Sequence, residues 1–135
     1  MNKRQVELND AMVKKILPEI IEIRRIFHQY PELSYKEYKT TELIKKILNS
    51  WGLKFQNFEN INTGGYCSIG QGTALAYRAD IDALPISENS DHEYCSKNRG
   101  VMHACGHDFH IAIGLGILKF FNLNQNLLNG KLVLI

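Results

Sequence analysis

Cysteine, proline and tryptophan are all scarce here: three, three and one in 135 residues. The odd number of cysteines, Cys67, Cys95 and Cys105, argues against a disulfide framework and fits a reducing compartment, so a cytoplasmic location is expected. An excess of one charge is missing too. Sixteen basic and fourteen acidic residues leave a formal charge of +2, spread along the chain, which carries no electrostatic footprint for nucleic acid and gives no support to an acidic or membranous partner. No apolar run approaches the roughly 20 residues that cross a bilayer; Ile111 to Leu118 is among the longest. The stretch from Met1 to Asp10 is polar and has no cleavage-site pattern, so no secretory signal is read there. Repeats, low-complexity tracts and linkers are absent. What remains, 44% apolar and 22% charged, suits one globular domain with a real core.

Two periodicities divide the chain. Val13, Ile16, Leu17, Ile20, Ile23, Ile26 and Phe27 follow helical spacing, with Pro18 expected to kink or restart that helix before it ends at His28 to Pro31. Ser34 and Glu37 have capping-box spacing and predict a second helix whose buried stripe is Tyr38, Thr41, Ile44, Ile47 and Leu48, closed by Gly52. Residues 53–58, 66–69 and 73–77 are short apolar or β-branched runs that read as strands. A third helix is predicted from Asp108, which would cap it; the helix should be buried on most sides, with Gly114 and Gly116 packing closely against a sheet. Lys131 to Ile135 reads as a last strand. The order predicts an α/β fold: a partial open sheet with flanking helices and some parallel pairing.

Chemistry concentrates in two segments. Met102-His103-Ala104-Cys105-Gly106-His107-Asp108-Phe109-His110 puts a thiol, three imidazoles and a carboxylate within nine positions. Gly106 would permit an unusual backbone angle, so that Cys105 and His107 can turn toward one point. Thiolate and imidazole are good ligands for zinc and similar divalent ions. Tyr77-Arg78-Ala79-Asp80-Ile81-Asp82-Ala83-Leu84-Pro85 brings two carboxylates to the end of a strand, where ligands bind in open α/β sheets. If the strand continues, Asp80 and Asp82 share a face, and one of them can orient a metal-binding histidine. The stretch Arg25 to Ser34 is a helix end and a turn, and His28 within it is read as structural.

Together, His-Gln-Tyr-Pro-Glu-Leu-Ser, Arg-Ala-Asp-Ile-Asp-Ala-Leu-Pro and Met-His-Ala-Cys-Gly-His-Asp-Phe-His make the sequence resemble the metal-dependent amidohydrolase family of aminoacylases, hippurate hydrolases and N-acetyldiaminopimelate deacetylases, relatives of zinc-type carboxypeptidases. The resemblance implies a two-metal, peptidase-like catalytic domain. It implies that Cys105 and His107 are metal ligands and that Asp80 or Asp82 supports catalysis by orienting one, Asp80 being preferred. The cofactors implied are two divalent ions (zinc, manganese, cobalt or nickel), and the substrate is a small N-acyl amino acid. In the family, the strand matching Lys131 to Ile135 runs into Gln-Pro-Ala-Glu-Glu, whose first glutamate is the general base and whose second binds metal. Residues 1–135 hold neither, nor the smaller lid or dimerisation domain. The chain is therefore expected to be the amino-terminal portion of the catalytic domain and inactive by itself.

Two rival readings predict different chemistry. In one, Cys105 is a covalent nucleophile activated by His107 or His103. In the other, the chain is a non-catalytic remnant that binds metal weakly and self-associates through its uncovered helix and last strand.

Overall fold

The computed structural model describes residues 3–135, with side chains from Val6 onward. Its helices are α1 (Lys3–Gln29), α2 (Tyr38–Ser50) and α3 (His107–Leu123), and its strands are β1 (Phe55–Asn57), β2 (Gly65–Gly70), β3 (Ala74–Tyr77) and β4 (Lys131–Leu134). The fold is a mixed α/β one with an open four-stranded sheet in the order β1-β2-β4-β3. β1 and β2 pair antiparallel, as do β2 and β4, while β3 and β4 run parallel. No helix among the described residues is long and apolar enough to cross a membrane.

Each helix contributes one face to a single core. Ile23 and Phe27 of α1, Ile44 and Leu48 of α2, and Ile111, Leu115 and Leu118 of α3 meet Cys67, Leu132 and Leu134 of the sheet. Phe27, Leu48, Leu115 and Leu118 are among the most fully buried side chains. Burying a side chain of this size contributes about 1.5–3 kcal/mol, so this cluster is the main support of the fold.

Four local expectations need correction. α1 does not restart at Pro18 but runs through it as one helix. Proline removes one hydrogen bond and crowds one carbonyl, a local cost that α1's packing against α3 on the same turn region can absorb. Ser34 does not cap α2. The helix starts at Tyr38 after Glu37, which makes no side-chain capping bond. The Glu32 carboxylate does that work instead, accepting from the Thr40 backbone N–H at 2.7 Å and its hydroxyl at 2.8 Å. Tyr38, placed in the buried stripe, is 56% exposed. Finally, α3 begins at His107 behind Gly106, and Asp108 is no cap. Gly52 does close α2 with positive φ, and the Leu53 N–H reaches back to the Leu48 carbonyl.

Of the two α3 glycines, Gly114 lies against Leu134 and Tyr77 of the sheet, as expected, but Gly116 faces Ile20 of α1. α3 is also less enclosed than its composition predicts, with Phe109, Ile113 and Leu123 exposed.

Candidate metal centre

The parallel pair β3–β4 aims the chain at the site. β3 ends at Tyr77, and one further bond, from the Ala79 N–H to the Ile135 carbonyl at 2.8 Å, carries the pairing slightly beyond it. The following segment has no regular structure but is fixed on both sides. Ala83 N–H donates to the Glu32 carbonyl at 2.7 Å, and Leu84 and Met102 exchange backbone bonds of 2.9 and 3.0 Å. These ties bring the Asp80–Asp82 segment up to the turn that opens α3.

Gly106 has φ +79 at that turn, a conformation costly for residues with a Cβ, and it delivers His107 as the first helical residue. His107 Nδ1 lies 2.8 Å from the Asp82 carbonyl and 3.0 Å from Asp82 Oδ1, so its N–H is shared between two oxygens. That tautomer leaves Nε2 with a free lone pair. His110 stands three residues on, on the same face of α3, with its ring centroid 5.4 Å from that of His107. Asp80 completes the group. Potential ligand atoms of Asp80, His107 and His110 all lie within 4.8 Å of one another. The Arg78 guanidinium, bonded to Asp80 Oδ1 at 2.5 and 3.0 Å, holds that carboxyl below its ordinary range. Two imidazoles and a carboxylate form a donor set that suits a divalent ion.

The carboxylate that touches His107 belongs to Asp82, and that of Asp80 is paired with Arg78. Cys105 is exposed at the turn and lies outside the group formed by Asp80, His107 and His110. His110 is a member of the histidine-rich motif to which the sequence alone assigns no role. Its helical spacing from His107 was the available signal. Beside the carboxylates a cleft of about 260 Å³ opens, lined by Phe55, Phe58, Ile81 and Ile111 among others.

Behind the turn lies a buried polar network. Asp108 is fully buried; its Oδ2 lies 2.7 Å from Arg24 Nε and 2.8 Å from His28 Nδ1. His28 Nε2 is 3.1 Å from Glu88 Oε1. Burial works against charge on Glu88, but hydrogen bonds from Ser90, the Ser96 N–H and His28 outweigh it and hold its pKa at about 2. His103 is buried with neither ring nitrogen hydrogen-bonded, and burial drives its pKa down to about 4; Asp108 and the Asp82 backbone oppose that shift, while His28 and His107 reinforce it.

Residues 76–135 match the family described as Peptidase family M20/M25/M40. Over 132 residues the sequence is 45% identical to N-acetyl-L-cysteine deacetylase of Bacillus subtilis (strain 168), an alignment covering 96% of this chain and 32% of that protein. Residues 76–135 carry part of a domain of the M20 peptidase family. The sequence is also 44% identical over 126 residues to thermostable carboxypeptidase 1 of Saccharolobus solfataricus, covering 91% of the chain and 32% of the relative. A solved dinuclear metal-binding peptidase of the M20 family from Bacillus subtilis superposes with a TM-score of 0.81 at 36% identity, over 93% of this chain and 35% of that one. The chain thus spans about a third of the length of the relatives it matches.

Proposed function

We propose that this chain carries part of the metal centre of a hydrolase that cleaves the amide bond of small N-acyl amino acids. The observation that carries the reading is His107, oriented through Nδ1 by Asp82 with Nε2 left free, and sharing its surroundings with Asp80 and His110. In this reading His107 and Cys105 are ligands. Cys105, exposed at the mouth of the turn, would bind as thiolate. Asp82 positions His107, a role in which loss of the carboxylate typically weakens metal binding 10–100-fold. The similarity to an N-acetyl-L-cysteine deacetylase supports the substrate class. The apolar cleft beside Asp80 and Asp82 is suited to take an acyl chain.

A divalent ion bound here supplies polarisation of the acyl carbonyl and a water of lowered pKa. The two carboxylates beside His107 are committed, Asp82 to His107 and Asp80 to Arg78, so neither of these is free to carry the water's proton to the leaving amine. We therefore propose that residues 1–135 alone bind metal without hydrolysing.

Calorimetric titration with zinc, manganese, cobalt and nickel tests the centre, with a panel of N-acetyl amino acids as the activity assay. The expected result is one metal equivalent that is lost in His107→Ala and weakened about 10–100-fold in Asp82→Ala, with no turnover. Unchanged affinity in His107→Ala would sink the metal centre. Chelator-sensitive hydrolysis by the 135-residue chain would sink the proposal that it is inactive alone, and activity lost to alkylation but indifferent to chelators would favour Cys105 as a nucleophile.

A further inference from the structure

The irregular segment between the Leu84–Met102 bridge partners and the end of α1 together carry a second set of potential ligands. Atoms of His28, Glu88 and His92 all fall within 4.8 Å of one another, and the set shares no residue with Asp80, His107 and His110. We infer that His28, Glu88 and His92 form a separate site for a zinc-like divalent ion, which ties the 85–101 loop to the end of α1.

The inner two ligands are buried and converge. The side chains of His28 and Glu88 are 5% and 4% exposed, and His28 Nε2 lies 3.1 Å from Glu88 Oε1. His92 Nε2 approaches the same oxygen at 3.5 Å, and at 37% exposure it stands at the solvent side, where an ion can enter and keep a water. Two imidazoles and one carboxylate with an open fourth position make a recognised zinc arrangement.

Each ligand is also held from behind, as metal ligands generally are. His28 Nδ1 faces Asp108 Oδ2 at 2.8 Å and Arg24 Nη2 at 3.2 Å. The shorter contact favours a proton on Nδ1, donated to Asp108. The 3.1 Å contact between Nε2 and Glu88 Oε1 is a hydrogen bond in the metal-free chain, and a divalent ion between the two atoms would take the place of its proton. His92 Nδ1 lies 3.4 Å from Cys95 Sγ, and the ring stacks on Tyr94 with centroids 4.1 Å apart. Glu88 Oε2 accepts from the Ser96 N–H and Oε1 from the Ser90 hydroxyl, both at 2.5 Å, which leaves Oε1 a second lone pair for the ion. Arg24 is paired with Asp108, and among the described residues Glu88 has ion-pair contacts with His28 and His92 and with no Lys or Arg.

The test is cobalt(II) titration of the full 135-residue chain carrying Cys105→Ser and His107→Ala, which disables the first centre while leaving this one. Helical circular dichroism checks that each variant is folded. The expected result is one bound equivalent with tetrahedral d–d absorption and no sulfur charge-transfer band. That equivalent should disappear when His92→Ala is added, and again with Glu88→Gln. His92 lies on an exposed loop, so its removal should not unfold the chain. No bound cobalt in the folded background variant, or an equivalent that survives both added substitutions, overturns the proposal. A sulfur band overturns the ligand set by placing Cys95 among the ligands.

Discussion

A carboxylate with no access to solvent needs cationic or donor partners in fixed positions, and Asp108 has Arg24 and His28 in that role. It follows directly on His107, so the residue that opens α3 toward the candidate centre is anchored from behind by a buried ion pair. The cysteines show the opposite extremes of environment. Cys67 is fully buried, and burial pushes its thiol pKa up, whereas Cys105 is exposed. In metal-free protein, a chromogenic disulfide reagent should therefore modify Cys105 rapidly and leave Cys67 untouched until denaturant is added. Prompt reaction of Cys67 in the native chain would contradict its place in the core. How far such residues were legible depended on their range of interaction. Cys105, His107, Asp80 and Asp82 announced themselves by ligand type and short spacing. The Arg24–Asp108–His28–Glu88 network did not, since His28 and Asp108 are 80 positions apart, Arg24 and Asp108 farther still, and each has an ordinary local explanation. Asp108 looked like a helix cap because local spacing cannot distinguish a capping carboxylate from one turned into the core.

At the scale of elements, periodicity located the three α-helices and four strands but not the short 3-10 turn of helix at Gln125–Leu127, and the capping errors sat at helix ends. Ser34 has the right spacing to cap α2, but Glu32, farther away, reaches Thr40 from a turn that the sequence pattern does not describe. The two glycines of α3 separate packing from propensity. A methyl group at Gly114 would collide with Leu134 and crowd Tyr77, with ring carbons at 3.2 Å. Gly114→Ala is expected to destabilise the fold by about 1–3 kcal/mol. At Gly116 the nearest atoms, those of Ile20, stand at an ordinary 3.6 Å. There the same change should stabilise by about 0.5–1 kcal/mol, because alanine favours a helix interior over glycine. Urea unfolding of the pair checks both signs. Equal effects at the two positions would mean that α3 does not sit against the sheet as described.

For the molecule as a whole, the sequence announced an α/β sheet with parallel pairing but not its strand order. Pairing partners are set by long-range packing, and β2 and β3, neighbours in sequence, are not neighbours in the sheet. β3 is left as an edge, with Leu75 73% exposed. An apolar edge strand is a template for another chain. Sedimentation velocity over a concentration series should show self-association that Leu75→Lys reduces; a wild-type chain that stays monomeric throughout would refute this. The central position of β4 has one more consequence, and it concerns the order of synthesis. β3 leaves the ribosome long before β4 exists, and among the described residues its hydrogen-bonded neighbour in the sheet is β4. Until residues 131–134 emerge, the nascent sheet has a gap between β2 and β3, and both strands keep backbone groups open to wrong partners while they wait for β4.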